Sequence, residues 1–162
     1  MKTGRTARTT LTPSSLSATK IRVLCVDDSR DITAVLKMII DAEPDMRCVG
    51  CLLSADRLIS EVRRLSTTPS TPSTSSLVVI LDANMPGKDP LKVMQELATG
   101  FPCVRTIIYS GYDDPEFVDR AIAAGASGCV SKRDEPEAIT RAVREVDAGR
   151  SVRPAAASRW RN

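Results

Sequence analysis

The sequence contains no histidine, and its aromatic residues are one Trp, two Tyr and two Phe among 162 residues. With so few aromatics, the core must be built from aliphatic side chains. No run approaches the ~18 apolar residues that a membrane-spanning helix needs. The N-terminus also lacks the apolar stretch of a secretory signal. Five cysteines (Cys25, Cys48, Cys51, Cys103, Cys129) are an odd number with no regular framework. Cys48 and Cys51 make one CxxC, with no second pair or histidine to complete a zinc site. Alternating apolar residues around that pair predict a strand, and the expectation is buried, reduced thiols in a cytoplasmic protein.

Neither tail carries an acid. Residues 1–20 hold Lys2, Arg5, Arg8 and Lys20, and residues 150–162 hold Arg150, Arg153, Arg159 and Arg161. Residues 21–149 then keep 15 basic and 20 acidic residues, a net −5 inside a chain whose total is +3. The basic balance belongs to the tails and gives no support to nucleic-acid binding by the folded part. Residues 1–19, polar and unpatterned, read as a basic N-terminal extension, although a transit peptide shares their composition. Residues 66–76 form a Ser/Thr/Pro-rich insertion too polar to pack, and residues 150–162 a basic tail in which Val152 and Trp160 are the large apolar residues.

Between the tails, short aliphatic runs alternate with helical stripes. The runs are 21–26, 46–51, 77–81, 103–109 and 126–131. A first stripe (Ile32, Val35, Leu36, Ile39, Ile40) follows Ser29 as N-cap, and a second (Leu58, Ile59, Val62, Leu65) follows Ser54. A third (Leu91, Met94, Leu97, Ala98) ends at Gly100. The fourth helix should open on Asp114-Pro115 and close at Gly125. A fifth should start at Asp134 with Glu137 as capping box, bury Ile139, Ala142, Val143 and Val146, and stop at Gly149. Five strands alternating with five helices imply a doubly wound parallel sheet covered on both faces. Such sheets carry their sites beyond the carboxyl ends of the strands.

Polar residues sit at those ends. The first run leads into Asp27-Asp28, the third into Asp82, the fourth into Ser110 and the fifth into Lys132. Three carboxylates brought together repel one another and call for a cation. An all-oxygen set suits a hard ion such as Mg²⁺. A lysine and a hydroxyl beside it supply donors for phosphoryl oxygens, and phosphoryl transfer needs chiefly positioning and charge stabilisation.

Over residues 20–149 the chain resembles the response-regulator receiver family. The residues that carry the resemblance are Val23-Leu24-Cys25-Val26-Asp27-Asp28-Ser29, Leu81-Asp82-Ala83-Asn84-Met85-Pro86-Gly87, Tyr109-Ser110-Gly111 and Val130-Ser131-Lys132. Ala124-Gly125-Ala126-Ser127-Gly128 and Gly149-Arg150 look like the NarL/FixJ subgroup. The resemblance implies a flavodoxin-like (βα)5 sandwich with strand order 2-1-3-4-5. It implies Asp82 as phospho-acceptor, and Asp27, Asp28, Asp82 and the backbone carbonyl of Asn84 as Mg²⁺ ligands. Ser110 matches the switch hydroxyl and Lys132 its charged companion. Implied partners are a sensor histidine kinase or phosphotransfer protein and an output protein, with the fourth helix, fifth strand and fifth helix as signalling or homodimer face. The implied role is a phosphorylation-dependent switch of a two-component system rather than a turnover enzyme.

Departures from the pattern bear on readout. Cys129 stands where the family often has an aromatic, Arg133 follows the lysine in place of proline, Pro90 replaces a common glycine, and Gly111 replaces alanine. The alternatives are a degenerate receiver acting only as an interaction module, and a Mg²⁺-dependent phosphohydrolase. The hydrolase pattern wants a second aspartate two residues after the nucleophile, where Asn84 stands. The chain extends thirteen residues past Gly149, so no helix-turn-helix DNA-binding domain is expected within it.

Overall fold

The computed structural model describes residues 20–67, 76–111 and 114–154. Five strands, β1 (Ile21–Val26), β2 (Met46–Leu52), β3 (Leu77–Asp82), β4 (Val104–Ser110) and β5 (Gly128–Ser131), pair in parallel in the order β2-β1-β3-β4-β5. They alternate with α1 (Arg30–Ala42), α2 (Leu58–Ser66), α3 (Pro90–Gly100), α4 (Pro115–Ala123) and α5 (Pro136–Asp147). This is the expected doubly wound, flavodoxin-like α/β sandwich. Among the described residues no helix is long and apolar enough to cross a membrane.

Alternation of side chains along the strands creates two cores. Leu24, Val26, Val79 and Leu81 face α2, α3 and α4, while Val23, Cys25, Val78 and Ile80 face α1 and α5. Every residue of the central β3 is buried, as a strand covered on both faces requires. The helices begin where their capping chemistry dictates. Ser29 Oγ accepts the Ile32 N–H at 3.3 Å, Asp89 Oδ1 accepts from Leu91 at 2.9 Å, and Asp114 Oδ1 accepts from Glu116 at 3.1 Å. Proline follows the cap in α3 and α4, where its missing N–H costs nothing. Pro90, a departure from the family pattern, is thus the first residue of α3.

Four details differ from the expectations. The fifth helix opens at Pro136 with Glu135 as cap, because proline takes the first helical position. Asp134 instead accepts the Ser131 N–H, and no capping box forms. Val35 is 48% exposed, while Thr33 is buried and turns its hydroxyl onto the Ser29 carbonyl. The α3 stripe runs through Val93, Met94 and Leu97, with Ala98 exposed. Cys51 and Cys103 are exposed rather than buried: β2 is an edge strand, and Cys103 lies in the turn before β4.

The low-complexity insertion lies mostly outside the described residues, as do residues 1–19 and Trp160. Its far end is anchored, since Ser76 Oγ donates to Asp147. The start of the basic tail is also held: Val152 bridges Gly128 beside β5, Cys129 N–H donates to the Val152 carbonyl at 3.0 Å, and Pro154 is buried.

Arg144 on α5 clasps the turn between α1 and β2, donating to Asp45 through Nε and Nη2 (both 2.8 Å) and to Glu43. The Arg144 hydrogen bond holds the Asp45 carboxyl below its ordinary range, against a smaller desolvation effect. A carboxyl lowered on folding stabilises the fold above its unfolded pKa of ~3.9 and loses that contribution as pH falls through the folded value. Arg144→Ala should therefore cost about 0.5–1 kcal/mol in urea unfolding at pH 7, because the pair is part-exposed, and the difference should shrink as pH falls through the folded value.

Candidate functional site

The carboxyl ends of β1, β3, β4 and β5 bring the predicted residues together. Asp27 immediately follows β1, and Asp82 is the last residue of β3. Both are buried, whereas Asp28 is exposed. Each buried aspartate is fixed by backbone two residues on: Ser29 N–H donates to Asp27 Oδ1 at 2.9 Å, and Asn84 N–H to Asp82 Oδ1 at 3.0 Å. These short turns leave the Oδ2 atoms directed at a common cation. Lys132 Nζ lies 2.6 Å from Asp27 Oδ2 and 3.2 Å from Asp82 Oδ2.

The lysine reaches this position because the β4 and β5 ends are tied: Lys132 N–H donates to the Ser110 carbonyl at 2.7 Å. Burial opposes its charge, but the hydrogen bonds and attraction from Asp27 and Asp82 outweigh that and raise its pKa. Ser110 closes β4, buried, one residue beyond Tyr109, which pairs in register with Asp82. Together with Ala83, Asn84, Asp114, Phe117 and Arg120, Ser110 lines a cleft of about 230 Å³ beside Asp82.

Carboxylate oxygens of Asp27, Asp28 and Asp82 lie within 4.8 Å of one another. Against three carboxylates stands one ammonium, so two negative charges remain, matching one divalent cation. The donor set is entirely oxygen, and it fits Mg²⁺.

The departures from the family pattern have visible consequences. Cys129 is buried, its thiol pushed up to about 12 by desolvation, and it borders a cleft of about 560 Å³ between α5 and the start of the tail. Arg133, unlike a proline, keeps an N–H, which donates to Ser131 Oγ at 3.2 Å. Among the described residues, nothing lies within 4 Å of a Cβ built on Gly111.

Two participants escaped the sequence reading. The Tyr109 ring sits under Lys132, with Nζ 5.5 Å from its centroid, and so helps hold the ammonium in place. Its only sequence signal is its position immediately before Ser110. Asp134, read as a cap, instead holds the backbone of β5 one residue before Lys132.

Comparisons with known proteins agree with this geometry. Residues 23–144 match the response regulator receiver domain family. The DNA-binding transcriptional activator DevR/DosR of Mycobacterium tuberculosis is 31% identical over 132 residues, which cover 82% of this chain and 57% of that protein. The nitrate/nitrite response regulator NarL of Escherichia coli is 28% identical over 130 residues, 80% of this chain and 56% of NarL. The chain thus spans little more than half the length of these curated relatives.

Among solved structures, the isolated receiver domain of RcsB from Salmonella enterica superposes with a TM-score of 0.74 at 20% identity, covering 86% of this chain and 97% of that one. The receiver domain of the response regulator NarL of M. tuberculosis gives 0.71 at 23% identity, covering 81% and 98%. At these identities the superpositions establish the shared fold. DevR/DosR and NarL are named as regulators, and the match over residues 23–144 makes this chain a member of the response regulator receiver domain family, a signalling domain of two-component systems.

Proposed function

We propose that this chain is a phosphorylation switch in which Asp82 accepts a phosphoryl group from a phosphohistidine on a sensor histidine kinase or phosphotransfer protein in the cytoplasm. The observation that carries the reading is the placement of Lys132 between the two buried aspartates, with Asp28 at the rim. An Asp82 carboxylate oxygen attacks phosphorus, the phosphorus–nitrogen bond breaks, and the donor imidazole takes a proton. Asp27, Asp28, Asp82 and the Asn84 carbonyl would hold Mg²⁺, which supplies charge neutralisation for the transferring group.

Lys132, already beside Asp82, donates to a phosphoryl oxygen, and the Ser110 hydroxyl turns toward the same group across the cleft. The added charge biases the end of β4, and the face of α4, β5 and α5 conveys the change to an output protein or a second copy of the chain. Cys129 in place of an aromatic means that readout runs through backbone and hydroxyl movement rather than a ring flip.

The test uses intact mass after incubation with acetyl phosphate. One labile phosphate per chain is expected with Mg²⁺ and none with chelator. Sustained hydrolysis of phosphate esters without an adduct, or no adduct at all, would overturn the proposal. Mg²⁺ alone should also raise the melting temperature by relieving repulsion among the three aspartates, by about 2.7 kcal/mol of stability at 100 times its Kd.

A further inference from the structure

The segment that follows α5 closes one edge of the sheet. β5 is the last strand in the order, and an edge strand offers its outward N–H and C=O groups to any second strand. Here those groups are taken within the chain. Gly149, at φ +79°, turns the backbone at the end of α5, and residues 150–154 run beside β5. Val152 N–H donates to the Ser127 carbonyl at 3.3 Å, and Cys129 N–H donates to the Val152 carbonyl at 3.0 Å. Ser131 N–H, two residues further along, donates to Asp134 Oδ2 at 3.3 Å. The same segment reaches both flanking helices. Arg153 donates to Asp119 of α4 at 2.6 Å, while Val152, Arg153 and Pro154 form one wall of the 560 Å³ cleft whose other wall is α5.

We propose that residues 150–154 are an autoinhibitory strap, which closes the β5 edge and the α4–β5–α5 face against pairing with a second copy of this chain and yields when Asp82 is phosphorylated. The release step rests on the phosphorylation reading above; the closure does not.

The strap's hold is suited to reversal. It consists of two backbone hydrogen bonds, one part-exposed ion pair, and the burial of Pro154 and part of Val152. Each is of modest net worth, so the strap can open without unfolding α5 or β5. The helix α4 links it to the phosphoryl site. Phe117 and Arg120 line the cleft beside Asp82 together with Ser110, and Asp119, between them in sequence, holds Arg153. A movement of α4 driven by new charge at Asp82 therefore displaces one partner of the strap's ion pair. Once the strap leaves, Cys129 N–H and the Ser127 carbonyl are exposed on an edge strand, which is the arrangement that pairs with another chain.

The experiment compares the full chain with Arg153→Glu, which sets two acids against each other, with Val152→Asp, and with the charge swap that combines Asp119→Arg and Arg153→Glu. Amide hydrogen exchange at Cys129 and Val152 reads strap closure, and sedimentation velocity reads self-association. Without phosphodonor, both amides should exchange about 10-fold faster in either single variant than in wild type. Dimers of the single variants should appear as concentration rises, and the swap should restore slow exchange and the monomer. Acetyl phosphate with Mg²⁺ should move the wild-type chain the same way. Closure is overturned if both single variants exchange at the wild-type rate, or if exchange quickens while self-association does not rise. Release is overturned if exchange is unchanged in a sample whose intact mass carries the phosphate. A sample that takes up no phosphate overturns the phosphorylation reading, and release with it, while the variants without phosphodonor still decide closure.

Discussion

Lys132→Met should slow capture of phosphate from acetyl phosphate by about 100-fold and destabilise the Mg²⁺-free protein by about 2 kcal/mol. The rate effect follows from losing a charged donor aimed at the transferring group, a loss that typically costs ~10²–10³. The stability effect follows from burial. The side chains of Asp27 and Asp82 are 1% and 4% exposed, and Lys132 is the cation they share. Removing one partner of a fully buried pair costs about 3–5 kcal/mol, and the smaller figure here reflects a lysine that is 20% exposed.

Mg²⁺ should recover much of that stability in the variant but little of the rate, because it compensates the carboxylates without replacing the lysine's donor. Urea unfolding with and without Mg²⁺, alongside single-turnover labelling, separates the two effects. The pH dependence has a defined sign. Lys132 has a pKa raised on folding, so its contribution is full below the unfolded value of ~10.4 and is lost as pH rises through the higher folded value. Wild type and variant should therefore converge in strong alkali.

Gly125→Ala should cost about 2–4 kcal/mol, lowering the melting temperature by roughly 10 °C. Two costs add. Gly125 has φ +105°, a conformation that disfavours any Cβ, and a Cβ there would sit 2.6 Å from the Cβ of Ala98 on α3. Ala98 has no flexible end to withdraw, so α3 and α4 must separate. The glycine is required because it ends α4: its N–H donates to the Ile122 carbonyl and the Ala126 N–H to the Ala121 carbonyl, both at 3.0 Å. Gly100→Ala is the control, since nothing lies within 4 Å of its Cβ and its φ is not positive; it should be neutral or slightly stabilising. Equal effects at the two glycines would show that the close approach of α3 and α4 does not govern stability.

The order of strands and helices was legible because each element repeats a simple period and is punctuated by caps and glycines. The site was legible for a related reason: Asp27, Asp82, Ser110 and Lys132 all follow aliphatic runs, and a parallel sheet gathers strand ends at one edge. What escaped depended on side-chain geometry across strands. A ring from β4 supporting Lys132 has no periodic signal, and a bulge at Val49, where the pairing of β2 with β1 skips one residue, brings the Cys51 sulfur within 3.9 Å of Cys48 without changing the look of the sequence. Local competition also mattered, since the helix expected to start at Asp134 begins instead at Pro136, whose fixed φ suits the first helical position. Val35 continues the α1 stripe by spacing, yet it lies at its margin and remains exposed.

The central claim is that one carboxylate, Asp82, receives the phosphoryl group, and the most direct measurement locates that group. After labelling with acetyl phosphate and Mg²⁺, borohydride reduction converts an aspartyl phosphate to homoserine, which peptide mass mapping places in the chain. The account predicts homoserine at position 82 alone, and none anywhere in Asp82→Asn. Homoserine at position 27 or 28, or labelling that persists in Asp82→Asn, would contradict it.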